Sequence, residues 1–139
     1  MARIKRKITI TAKDRDRLEE LFVSSFAQSI RNRPYLDDLK GELEIAQIVA
    51  PGEVPDCVVT MNSTVRLKDM KHRTVETFTL VYPDEANIAE GKLSVLAPLG
   101  TAILGSRVGD SVRWRIPSGE GRWRVEEVVF QPERAGVTA

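Results

Sequence analysis

Few residues in this chain have the type and spacing that chemistry requires, and each competes with a structural explanation. Its one histidine, His72, lies in Met70-Lys71-His72-Arg73. A general base needs a pocket and an orienting partner, and a charged turn offers neither by pattern alone. Its one cysteine, Cys57, precedes an apolar stretch, Val58-Val59, which predicts a buried, inert thiol, since reactive thiols sit in electropositive, partly exposed places. Gly100-Thr101-Ala102-Ile103-Leu104-Gly105 has phosphate-loop glycines but no lysine, and turn and cap roles account for them. No Gly-x-Ser-x-Gly elbow occurs.

Two clusters carry more weight. Asp37-Asp38, with Glu42 and Glu44 beyond them, could share a magnesium ion, which needs only one or two carboxylates. Acids in the first turn of a helix also complement its dipole without any metal, and we expect no metal there. The second cluster is Arg113, Arg115, Arg122 and Arg124 with Trp114 and Trp123 interleaved. Basic and aromatic side chains in alternation suit single-stranded nucleic acid. A half-buried hairpin with tryptophans inward and arginines outward gives the same pattern, and this is the simpler expectation.

The elements that must position these groups fall into two textures. After a basic arm over residues 1–11, Thr11 and Asp14 form a helix-capping signal. Leu18, Leu21, Phe22 and Phe26 then share a helical face. Arg31-Asn32-Arg33-Pro34 breaks the helix, and Leu36, Leu39, Leu43 and Ala46 resume an apolar seam that Pro51-Gly52 should close. This predicts a short antiparallel helical hairpin, a coiled coil, over 12–50. Each leg, at 13–18 residues, would be on the order of 20–27 Å long. From Val58 onward, strands are expected over 58–68, 74–82, 93–95, 111–116 and 122–130, with a short helix from Pro98 that Gly105 stops. Trp123 and Val125 are out of phase with Val128 and Phe130, which calls for a β-bulge. The sum is an α+β chain: a hairpin over 12–50, an antiparallel sheet domain with one short helix over 51–132, and a tail over 133–139.

Composition narrows the class. With 42% hydrophobic and 29% charged residues and a net charge of +1, the 139 residues suit one ordinary core. No apolar run approaches the roughly 18 residues of a membrane span, and the basic start leads into Ile8-Thr9-Ile10 instead of a secretory signal's long apolar stretch. A single cysteine excludes an internal disulfide and suits the cytoplasm, and one cysteine with one histidine argues against a zinc site. Charge is uneven: residues 1–33 are net +5, 34–90 net −6 and 91–139 net +2. The basic stretch leaves open a weak nucleic-acid contact through the arm, or simply a solvated face.

Four runs then follow in order. They are Val59-Thr60-Met61-Asn62-Ser63-Thr64-Val65, Leu80-Val81-Tyr82-Pro83-Asp84-Glu85-Ala86-Asn87, the stretch from Leu93 to Gly105, and Val108-Gly109-Asp110. This series resembles the C-terminal domain of the GreA/GreB transcript cleavage and elongation factors over about residues 57–131. Met-Asn-Ser, Leu-Val-Tyr-Pro and a short preceding hairpin are most similar to the Rnk branch. The resemblance implies an FKBP-like sheet domain bound at the rim of the RNA polymerase secondary channel, beside a coiled coil directed toward it. It implies a docking loop at Ser94, Leu96, Ala97 and Pro98, where the cleavage factors read roughly Ser-x-Asp-Ser-Pro. Leu96 and Ala97 replace the acidic and hydroxyl residues, so Leu96 is either an exposed apolar anchor or turned inward.

The hairpin tip would present Arg31, Arg33, Tyr35, Asp37 and Asp38. A leg of about 27 Å should not carry Asp37 or Asp38 to the polymerase metal centre. The expectation is therefore a polymerase-binding regulator that is not an enzyme and needs no cofactor. A true cleavage factor with a shortened hairpin is the alternative. A peptidyl-prolyl isomerase is suggested by fold alone, and fold does not carry function.

Overall fold

The computed structural model describes residues 8–23, 34–116 and 119–136, apart from the side chains of 34–38, 114–116 and Glu120. Strand β1 (Thr9–Thr11) runs directly into helix α1 (Ala12–Val23). The Thr11 hydroxyl accepts the Asp14 N–H at 3.3 Å, as the capping signal predicts. Helix α2 (Pro34–Glu44) opens on proline, whose missing N–H costs nothing at a first helical position. It ends earlier than expected. In place of helix up to Pro51, residues Gln47–Val49 form strand β2, paired in parallel with β1. The seam continued to Ala46 by spacing, but the backbone partners of 47–49 lie at Thr9–Thr11, just before the first helix.

The main sheet comprises β3 (Thr64–Asp69), β4 (Thr74–Val81), β5 (Lys92–Ser94), β6 (Ser111–Ile116) and β7 (Gly119–Phe130), in spatial order β5-β4-β3-β7-β6. It is not wholly antiparallel as expected, because β5 runs parallel to β4, with Thr79 opposite Lys92. Two 3-10 turns, Pro83–Glu85 and Ile88–Glu90, loop the chain back so that it re-enters at the level of Thr79 and continues in the same direction.

The phase break in β7 is real. Arg66 faces Glu127 while Leu67 faces Val125, so Glu126 is the extra residue of a bulge. A second shift at Val129 follows. The first shift turns Val128 to the same buried side as Trp123 and Val125 despite their spacing. Both shifts also sharpen the twist that curls the sheet.

One hydrophobic core unites both textures. Leu18 of α1 and Leu39 and Leu43 of α2 pack in the same cluster as Val65, Leu67, Leu80 and Val125 of the sheet. The helices therefore do more than zip to each other, since their inner ends are roofed onto the sheet domain. Phe78 and Trp123 meet edge to face, with ring centroids 6.0 Å apart. Helix α3 (Pro98–Ile103) completes the layer. Gly105, at φ 78°, ends it in the left-handed region, and a β-carbon there would lie 2.3 Å from the Ile8 side chain. Among the described residues no helix is long and apolar enough to cross a membrane.

Candidate functional site

The loop between β5 and α3 is built tightly. The Ser94 hydroxyl accepts the Leu96 N–H at 3.0 Å, and Ala97 N–H donates to the Ser94 carbonyl at 3.0 Å. The Thr101 hydroxyl sits between the carbonyls of Val95 (2.8 Å) and Ala97 (3.0 Å). Gly100 lies so close beneath that a β-carbon would fall 2.1 Å from the Ser94 carbonyl oxygen. Leu96 is only 7% exposed and belongs to the core cluster, so it turns inward and presents no apolar anchor. Ser94, Ala97 and Pro98 are half-buried and are the part of the loop a partner can reach. These bonds and the close Gly100 fix the shape of the loop.

A second polar cluster joins α1 to the sheet domain, and the sequence did not reveal it. The Tyr82 hydroxyl donates to Asp14 Oδ1 at 3.0 Å, and the Arg17 guanidinium lies 3.7 Å from the centre of the Tyr82 ring. Thr60 links to Ser63 (2.8 Å) and donates to Glu133 Oε1 at 2.7 Å, which brings the C-terminal segment alongside. Burial pushes the Asp14 carboxyl up from the usual aspartate value. The Tyr82 hydrogen bond opposes this and the nearby Glu133 charge adds to it. Burial and the Asp14 charge raise the Tyr82 hydroxyl well above its ordinary value. Asp14 and Arg17, one helical turn apart, were the available signal, but Asp14 already had a role in the first turn.

The remaining candidates resolve as follows. His72 is exposed, with Nδ1 2.9 Å from Asp69 Oδ2. The His72 contact leads in holding the Asp69 carboxyl below its usual value. This contact staples the turn. Cys57 is half-exposed, not buried as expected, because burial begins one residue later at Val58, and Arg107 Nη1 donates to its Sγ at 3.8 Å. Trp123 is buried while Arg113 and Arg122 are exposed, in line with an inward-outward hairpin. The side chains of Trp114 and Arg115 lie outside the described residues. So do residues 1–7 of the basic arm, Arg31 and Arg33, and the side chains of Tyr35, Asp37 and Asp38. Among the described residues no group of three or more potential metal ligands gathers.

Comparison with known proteins covers both halves. Residues 54–130 match the family described as "Transcription elongation factor, GreA/GreB, C-term", and residues 6–49 match "Rnk N-terminus". The "Regulator of nucleoside diphosphate kinase" of Escherichia coli (strain K12) is 45% identical over 104 residues, 74% of this chain and 76% of that protein. "Transcription elongation factor GreA" of Verminephrobacter eiseniae (strain EF01-2) is 31% identical over 97 residues, 69% of this chain and 61% of that protein. The solved structure of "Prokaryotic transcription elongation factor GreA/GreB from Nitrosomonas europaea" superposes with a TM-score of 0.75 at 41% identity, covering 91% of this chain and all of that one. With a GreA/GreB C-terminal module preceded by an Rnk-type N-terminus, the chain belongs to the GreA/GreB family of transcription elongation factors, on its Rnk branch.

Proposed function

We propose that this chain regulates transcription elongation by binding RNA polymerase at the rim of the secondary channel, in the cytoplasm, without cleaving the transcript. The membership supports the class of activity, and one observation carries the non-catalytic part. From Ala12 to Glu44 the chain has 33 residues for both legs of its helical arm. Divided between an outward and a return leg, they reach about 25 Å at the helical rise. Part of that length is already used, because Leu18, Leu39 and Leu43 are sunk in the shared core. An arm so short, paired as a coiled coil on an FKBP-like sheet domain, can occupy the channel entrance while leaving Asp37 and Asp38 far from the metal centre.

In this proposal the loop with Ser94, Ala97 and Pro98 docks on the polymerase. Its shape is set by Gly100 and Thr101, and Leu96 supports it from within. Such a protein excludes true cleavage factors from the entrance by occupying it.

Pull-down with core RNA polymerase, followed by displacement of a cleavage factor, tests the binding. Failure to bind at micromolar concentration defeats the proposal, and Ala97→Arg should weaken binding while leaving the fold intact. Stalled elongation complexes supplied with magnesium test the second half. Transcript shortening that Asp37→Asn with Asp38→Asn abolishes would show a cleavage factor instead.

A further inference from the structure

The five-stranded sheet has one face in the core and one in solvent, and the solvent face is unusual in its charges. In an antiparallel pair, residues directly opposite project from the same face with their β-carbons about 5 Å apart. Arg113 of β6 lies directly opposite Arg122 of β7, and both are exposed. Lys68 of β3 lies directly opposite Arg124 of β7. Like charges in such positions oppose folding, yet two of these pairs stand side by side, since Arg122 and Arg124 are two residues apart on one strand. Arg66 adds a fifth cation, with Glu127 at 3.4 Å. Glu126 is a second carboxylate on the face, held by Arg124 and kept below its usual value by that contact first and by the Lys68 and Arg66 charges as well. In this patch of described residues, cations outnumber the carboxylates that could neutralise them.

At the far end of the same face, Phe130 stands opposite Thr64 and is 40% exposed. The bulge at Val129 brings it there, when strict alternation from buried Val128 would have turned it inward. Beside it the Arg134 guanidinium is fixed by the carbonyls of Val128 (3.2 Å) and Val129 (3.3 Å).

We propose that this outer sheet face, through Lys68, Arg113, Arg122, Arg124 and Phe130, is a binding surface for single-stranded nucleic acid. Arg113 and Arg122 repel each other across the ladder and are neutralised together by a phosphate backbone, and Lys68 and Arg124, with Glu126 between them, extend the track. An exposed ring at the end of the track offers a stacking platform for a base, and every base has a face that stacks. An acidic protein segment would satisfy the cations but uses the ring only where an apolar side chain falls in register with it, whereas every nucleotide brings a base that stacks. The face is separate from the loop at residues 94–98, so the inference goes beyond the polymerase reading and does not depend on it.

Fluorescence anisotropy with labelled oligo(dT) and oligo(U) and the purified full chain, without polymerase, tests this directly. Binding should weaken with salt. Lys68→Glu combined with Arg122→Glu should lower affinity at least tenfold and flatten the salt slope by about 0.7 for each phosphate that is no longer neutralised. Phe130→Leu keeps the apolar bulk and removes the aromatic face, and should cost at least about fivefold through the missing stack. The same variant should leave competition by polyglutamate or heparin unchanged. Thermal melts confirm that each variant is folded. No oligonucleotide binding at low salt overturns the proposal. Polyglutamate binding as tight as oligonucleotide binding, with Phe130→Leu indifferent to both, overturns it in favour of an acidic protein partner.

Discussion

The two faces of the main sheet are built from the same strands yet obey different rules. On the inner face, Val65, Leu67, Leu80, Trp123, Val125 and Val128 interlock with Leu18, Leu39 and Leu43 of the helices, and the bulge at Glu126 keeps Val128 pointing inward. The outer face keeps like charges opposite each other, Arg113 with Arg122 and Lys68 with Arg124. Glu126 offsets the repulsion between Lys68 and Arg124, whereas Arg113 opposite Arg122 is a pair that stability alone disfavours. The contrast teaches that the inner face answers to folding, while the outer face answers to something outside the chain.

Substitutions can break or sharpen that contrast. Leu67→Ala on the inner face should cost about 2–5 kcal/mol, from the forfeited transfer free energy plus a cavity. Its neighbour Lys68→Ala should stay within about 0.5 kcal/mol. Urea unfolding of both checks this, and equal effects would erase the distinction. Gly100→Ala comes next. Its β-carbon would meet the Ser94 carbonyl, which is backbone and cannot swing aside, so a cost of about 1–3 kcal/mol in the same urea titration is expected, with the loop's shape disturbed.

Smaller effects belong to the junction between α1 and the sheet. Tyr82→Phe removes the hydroxyl that Asp14 accepts and should cost about 1 kcal/mol. Asp14 also makes stability depend on pH in a defined direction. Its folded pKa is raised, so over the range just above the usual aspartate value the folded state binds more protons than the unfolded chain. Stability from this group is present at lower pH and falls as pH rises through that range. The carboxyls of Asp69 and Glu126 are depressed and act the opposite way, losing their contribution on acidification. Subtracting the stability profile of Asp14→Asn from that of the unaltered chain isolates the Asp14 decline, and a flat difference would refute it. Smallest is Arg113→Glu, which converts a like-charge pair into an opposite one and should raise stability by about 0.2–1 kcal/mol at low salt.

Much of the inner face was legible in the sequence, because alternation is local. The strand from Thr74 to Val81, the hairpin turn at 70–73 and even the bulge in β7 announce themselves through the phase of neighbouring residues. What stayed hidden depends on distant partners. Gln47–Val49 carries on an apolar pattern that a helix could equally use, and it becomes a strand only because Thr9–Thr11 arrives beside it. The parallel direction of β5 depends on how residues 83–91 turn, which no alternation records. The contact between Asp14 and Tyr82 spans 68 positions, and each residue already had a sufficient local explanation. At the loop, the identities of Leu96 and Ala97 raised the question of an anchor. Only packing against the core decided it, by turning Leu96 inward.

The pairing of β1 with β2 has a mechanical consequence. The polypeptide that forms the two opening helices leaves and returns at one point, where Thr9, Ile10 and Thr11 are laced to Gln47, Ile48 and Val49. With both roots stitched together, neither leg can swing by itself, and the pair must tilt as a stiff lever. Moving one leg away from the other would first have to break those backbone hydrogen bonds.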